Sequence, residues 1–423
     1  MYFSKGLNSM KWLPGGLLHM LMLVALTATA DETISTEFSE YLYVWAADAG
    51  GTDSDFVSVW DVNPASQSYG QLISTVEVGT IAVAHHTEHF MPEGDLFFVN
   101  GFMTGKSFVI NVANPLRPVV ASAFTSAGPY TYPHSFERTP TGTVLATFHN
   151  KGEKDSEAGG LVELDPMGGY IRGSDAADQK DPELRPYSVT PIATIDRVVT
   201  TTGDMWGKLE GRSVQIWRMS DLKLLHTVLL PPGPRGDENL DVAEARLLAD
   251  GKTVIVTTFR CGMYVLSDID TENPQVTLVK SFPFTSYDAG DQCSVPWRSG
   301  KYWVQTNEGT SSLVVLDVSD PYHPKEVDEL VLDGPVRPHW ISGEVGGNRI
   351  ALTGRKGWLA GRVVLLQLDP TNGKLTIIED LRSPGSAYPG LDMTREQWPH
   401  GKTGASIPHG AVFSRMDSGP DPR

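Results

Sequence analysis

The chain has 423 residues, of which 40% are hydrophobic and 20% charged, enough apolar material for a sizeable core in a water-soluble fold. With 34 Lys plus Arg against 51 Asp plus Glu the formal net charge is −17, and no basic run occurs. That balance argues against nucleic acid and anionic membrane surfaces as partners, since both need clustered positive charge.

The first elements in chain order belong to a targeting segment. Lys5 and Lys11 precede an apolar run from Leu17 to Leu26, and Ala28-Thr29-Ala30 follows with small residues. This order predicts a secretory signal peptide over residues 1–30, cleaved before Asp31. The run is too short to span a bilayer, and no later stretch is long and apolar enough to do so. A periplasmic or secreted location follows, where disulfides and copper are both available. Two cysteines, Cys261 and Cys293, cannot make a disulfide framework or a four-thiolate zinc site. One disulfide or a buried reduced pair both remain open.

From residue 31 onward the chain repeats. A β run, a polar turn and a second β run recur at Val57 (VSVWDVNP), Phe108 (FVINVANP), Leu161 (LVELDP), Val214 (VQIWRMSD), Met263 (MYVLSDID), Leu313 (LVVLDVSDP) and Val363 (VVLLQLDP). The starts are about 50 residues apart, and another β run lies ahead of each. Glycine (42) and proline (29) supply the turns, as at Pro140-Thr141-Gly142 and Asp250-Gly251. Four strands per period predict an all-β, seven-bladed β-propeller filling residues 31–415 as one domain, with 416–423 a flexible tail. Tyr41 opens directly on a second strand, so the first blade lacks its innermost one. The run Ile407–Phe413 near the C-terminus is expected to complete it and remove the exposed edges.

The innermost strands line the channel, and aligning the repeats on their turns brings four histidines to one level. His86, His134 and His339 align ahead of their second strands, and His409 shares a Pro-His context with YPHS at 132–135 and RPHW at 337–340. Because the ring closes, these four of the chain's 11 histidines occupy consecutive blades. Imidazoles converging from neighbouring strands suit a transition metal, whether copper, iron, zinc or nickel. His85, His86, Glu88 and His89 crowd one strand. Alternation with a period of two lets one parity face the channel, His86 with Glu88 or, in the opposite phase, His85 with His89. Glu88, Glu244 and Asp291 are candidate catalytic carboxylates for moving protons. His149, His226 and His323 read as structural residues of turns or outer strands.

The chain resembles the selenium-binding protein / methanethiol oxidase family. The similarity is carried by DFVSVWDVNPASQSYGQLI and AHHTEH within residues 55–94, by SFVINVANPLRPVV, PHSFERTPTGTVLATFHNKG and GGLVELDPMGGYIRG within 107–173, and by SSLVVLDVSDPYHPKEVDELVLDG at 311–334. It implies a seven-bladed propeller, copper dependence, and oxidation of methanethiol by dioxygen to formaldehyde, hydrogen sulfide and hydrogen peroxide. His85/His86, His134 and His409 fall on the family's histidine positions. The N-terminal cysteine motif linked to selenium binding is missing, so selenium binding is not implied. His339 is an addition to the family pattern. A four-histidine channel site also resembles the iron centre of carotenoid-cleaving propellers, which keeps iron as the alternative metal.

The expected function is an exported metal-dependent oxidase, with copper as cofactor and a small organosulfur molecule and dioxygen as partners. A homo-oligomer is compatible with it. The alternative is a non-catalytic secreted propeller serving as a ligand- or protein-binding scaffold. A hydrolase or lactonase ranks behind both, because its calcium-like site would be rich in carboxylate and amide oxygens rather than imidazoles.

Overall fold

A computed structural model describes residues 38–286, 291–383 and 385–416. The segment read as a signal peptide and residues 417–423 of the expected tail lie outside the described residues. No helix among the described residues is long and apolar enough to cross a membrane.

Seven antiparallel sheets form the blades of a β-propeller. The repeat motifs supply the third strand of each blade: Phe56–Asp61, Lys106–Asn111, Glu157–Leu164, Ser213–Arg218, Gly262–Ser267, Ser312–Asp317 and Arg362–Leu368. These strands are buried on both faces, whereas the outermost ones, such as Lys325–Val331, are largely exposed. The difference explains why Val, Ile, Leu and Trp run continuously through the motifs instead of alternating with polar residues. Neighbouring blades share the core between them. Leu42, Trp60 and Phe413 of the first blade pack with Val363 and Leu365 of the last, and Val304 and Leu313 of the sixth pack with Ile350 and Leu366 of the seventh. No repeat buries its own apolar faces, so the ring must close to be stable.

Closure follows the expectation from the chain ends. Ser406–Phe413 pairs antiparallel with Tyr41–Asp48 and becomes the innermost strand of the first blade, with Leu42 opposite Phe413 and Ala47 opposite Ile407. A buried ion pair reinforces this seam. Arg349 of the seventh blade meets Glu344 at 2.5 Å and donates to the carbonyls of Val62 and Ser39. Cys261 and Cys293 form a disulfide, their Cα atoms 4.9 Å apart, joining the fifth blade to the sixth.

The second blade is the irregular one. Its full strands are Leu96–Gly101, Lys106–Asn111 and Val119–Phe124. The segment carrying His85 and His86 is held at its inner edge by one bridge, Thr87 to Val99, and by flanking backbone hydrogen bonds.

Candidate metal centre

Bulges build the site. The innermost strands of the first, third and seventh blades change register where Pro precedes His: between Pro133 and Phe136, between Pro338 and Trp340, and opposite Val44–Ala46 where Pro408 and Ala411 pair. Proline has no N–H to give the ladder, so an extra residue is accommodated beside it. In the second blade two residues face one: His85 N–H donates to the Asn100 carbonyl at 2.9 Å, and Asn100 N–H donates to that of His86 at 3.0 Å. The parity expected for this segment therefore does not apply. His85 and His86 both turn to the same centre, their rings stacked at 3.8 Å with an interplanar angle of 11°.

Around that pair the other imidazoles close in. Ring centroids lie 4.5 Å apart for His85 and His409, 4.6 Å for His86 and His134, and 4.8 Å for His339 and His409. Ring nitrogens of His85, His86 and His409 lie within 4.8 Å of one another. The closing strand approaches this closely because position 410 is glycine, where a Cβ would meet the Thr87 nitrogen at 2.6 Å.

Both ring nitrogens of His85 and the Nε2 atoms of His86, His134 and His409 are buried with no hydrogen-bond partner. Buried polar atoms are ordinarily paired. Each neutral imidazole offers one lone pair, so these four residues form a donor set with nothing of the protein's own to donate to. Burial, reinforced by mutual repulsion, holds His85, His86 and His409 well below the ordinary histidine range, and burial takes His134 down to about 3. The imidazoles are thus neutral, the form that ligates a metal. His134 donates from Nδ1 to the Tyr187 carbonyl at 3.0 Å, which orients its Nε2. The residues present fit a transition metal held by nitrogen.

His339 differs from the other predicted ligands. It lies in the same arc, but its Nδ1 faces Glu308 at 2.7 Å and its Nε2 faces the Arg355 guanidinium at 2.6 Å, so both nitrogens are engaged. Burial and Arg355 outweigh Glu308 and bring its pKa down to about 4. Burial raises the Glu308 carboxyl, but hydrogen bonds from His339 and Gln292 bring it below its usual value. His89 stands apart, stacked on Trp340 at 4.5 Å with its Nε2 on Arg246 at 2.9 Å. Trp340 touches His86 on another side, at 4.6 Å between centroids.

The three candidate carboxylates are placed elsewhere. Glu88 is bonded to Arg138 at 2.7 and 3.1 Å and accepts the Phe98 N–H at 2.8 Å. Glu244, whose carboxyl burial pushes up, is bonded to Arg246 at 2.7 Å. Asp291 accepts the Thr285 N–H at 3.2 Å in a loop. Sequence reasoning missed Glu308, Arg355, Asn100 and Tyr187. His149 lies on neither a turn nor an outer strand: it is fully buried on the second strand of the third blade, 5.5 Å from His134 between ring centroids, and its Nε2 accepts the Met205 N–H at 3.3 Å. That strand runs from Val144 to Lys151. His323 is exposed on a turn, as expected, and pairs with Asp320 at 2.9 Å.

No protein-family model matches the chain. It is 24% identical over 364 residues to a methanethiol oxidase of Hyphomicrobium sp, covering 77% of this chain and 79% of that protein. It is 29% identical over 161 residues to a methanethiol oxidase of Ruegeria pomeroyi, a match spanning 34% of this chain and 36% of that one. Among solved structures, a hypothetical selenium-binding protein from Sulfolobus tokodaii superposes with a TM-score of 0.69 at 16% identity, covering 91% of this chain and 95% of the other. The chain is therefore similar in sequence to methanethiol oxidases and in fold to a selenium-binding protein, the resemblance that its motifs had indicated.

Proposed function

We propose that this protein is an exported, copper-dependent oxidase of a small thiol of the methanethiol type, with dioxygen as oxidant. The observation that carries the reading is a set of neutral, buried imidazoles with unpartnered ring nitrogens on adjacent blades: His85, His86 and His409 within 4.8 Å of one another, and His134 beside His86. The similarity to methanethiol oxidases supplies the substrate class. Export rests on the N-terminal pattern, and the Cys261–Cys293 disulfide supports an oxidising compartment.

When bound, copper would supply Lewis-acid and redox chemistry at the four imidazoles, and its affinity for nitrogen and sulfur together suits a thiol. Iron is the alternative. The chain's own residues set the surroundings. Phe102, Tyr187 and Trp340 are buried against the imidazoles and exclude water from them. Glu308 keeps the His339 proton at Nδ1, at the edge of the cluster beside His409. Arg355 places a positive charge next to the imidazoles, where an anionic sulfur would be favoured.

Elemental analysis of protein exported to a bacterial periplasm, beside a His134→Ala, His409→Ala variant, tests this reading. Near-stoichiometric copper or iron, lost in the variant, together with thiol-dependent oxygen uptake, is the expected result. Protein free of both metals after growth in supplemented medium would overturn it.

A further inference from the structure

In a regular strand, consecutive residues point to opposite faces. His85 and His86 do not, and something must hold them in the irregular arrangement. Two side chains do so. The first is Asp55, which immediately precedes the third strand of the first blade and is almost wholly buried. Its Oδ2 accepts the N–H groups of Ala82 and Ala84, at 3.2 and 2.9 Å, while its Oδ1 accepts that of Asp48 at 3.2 Å. Between the two bonded amides, Val83 has a φ of 59°. A β-branched residue rarely takes this left-handed conformation, which persists only where the surroundings impose it. Thr104 Oγ1 donates to the Ala82 carbonyl at 2.7 Å and anchors the turn from its other side. Close approach requires glycine at 101, where a Cβ would lie 2.0 Å from that carbonyl oxygen.

The second side chain is Asn100, fully buried opposite the bulge. Its Oδ1 accepts the His86 N–H at 2.8 Å, and its Nδ2 donates to the carbonyls of Pro133 and His134, both at 2.9 Å. One amide thus fixes the backbone of His86 in the second blade relative to that of His134 in the third. Asn suits this place because it offers an acceptor to one blade and two donors to the next.

We infer that Asp55 and Asn100 are the positioning residues of the imidazole centre. Asp55 imposes the left-handed turn that starts the bulge, and Asn100 sets the spacing between the His85/His86 pair and His134. The donor set is thereby assembled before a metal arrives. The metal-dependent half of the inference rests on the proposed copper reading; the backbone half does not.

The experiment uses the full mature chain with copper and a competing chelator, alongside amide hydrogen exchange on metal-free protein. Asn100→Asp keeps the acceptor for His86 but sets oxygen against the Pro133 and His134 carbonyls. Asp55→Asn removes the charge that gathers the turn amides. Each is expected to lower copper affinity by about 10–100-fold and to speed exchange at Ala82, Ala84 and His86. Adding Val83→Gly to Asp55→Asn removes the steric objection to the turn, and is expected to restore much of the affinity. Asp61→Asn, which disturbs an unrelated turn of the same blade, is expected to move thermal stability alone. Should Asp55→Asn not fold, Thr104→Val loosens the same turn and takes its place. Wild-type affinity and wild-type exchange in the Asn100 and Asp55 (or Thr104) variants would overturn the inference. If the wild type itself binds no copper, the oxidase reading fails while exchange still decides the clamp: faster exchange at Ala82, Ala84 and His86 supports it, and unchanged exchange refutes it.

Discussion

Replacing His134 by Phe should stabilise the metal-free protein while abolishing its response to metal. His134 is fully buried, and its Nε2 has no partner. A buried polar atom left unpaired costs about 1–3 kcal/mol, and removing it recovers that amount. Against this stands one lost hydrogen bond, from Nδ1 to the Tyr187 carbonyl, worth about 1 kcal/mol net. That carbonyl keeps a second donor, Thr147 Oγ1 at 2.5 Å. A phenyl ring suits the site, since Phe102 and Tyr187 already surround the imidazole at 5.3 and 3.8 Å between centroids. The balance for metal-free protein is between zero and about 2 kcal/mol in favour of the variant. With free metal at 1,000 times its Kd, the wild type should gain about 4 kcal/mol by linkage, and the variant far less. The two stability curves should therefore cross on adding metal. Urea unfolding midpoints in chelator and in copper read both terms. A variant destabilised by more than about 2 kcal/mol in chelator, or one that keeps the full metal shift, would refute the reasoning and make His134 a structural residue.

Other expectations follow from the same contacts. Glu344→Gln strands the buried Arg349 guanidinium at the ring seam and should cost about 3–5 kcal/mol, whereas a paired hydrophobic replacement of both residues should cost much less; urea midpoints of the two variants distinguish these. Cys261→Ser with Cys293→Ser opens a loop with a sequence separation of 32 residues. By chain entropy this should cost about 3–4 kcal/mol, measurable as the shift on reducing the wild type. Burial pushes the Asp241 carboxyl up to about 6, despite its bond to Arg260 at 3.1 Å. The folded state thus binds its proton more tightly than the unfolded chain, and the associated stability, present below about pH 4, is lost as pH rises through about 6. Asp241→Asn should flatten that slope when unfolding midpoints are compared across the interval.

The fold was legible because repetition is a sequence property. Seven copies of one apolar pattern, none able to bury both faces of its own sheet, require a closed ring. The strand missing from the first repeat and the surplus one at the C-terminus identify the seam. The Pro-His dipeptides at 133–134, 338–339 and 408–409 marked the level of the site, since proline disturbs a ladder wherever it lies. What no local pattern could carry was the outcome of those disturbances. Whether His85 or His86 faced the channel was posed as a question of strand parity. The answer, both, depends on Asp55 and Asn100, which act on the segment from separate strands. The same holds for His339, whose nitrogens are taken by Glu308 and Arg355, and for Glu88 and Glu244, claimed by Arg138 and Arg246. Pairing of Cys261 with Cys293 likewise waited on two blades meeting. Sequence by itself determined the ring and the level of its Pro-His dipeptides, because periodicity and proline act along the chain. Only tertiary structure decided which side chains keep free lone pairs, because hydrogen-bond partners are allotted in space, across blades far apart in sequence.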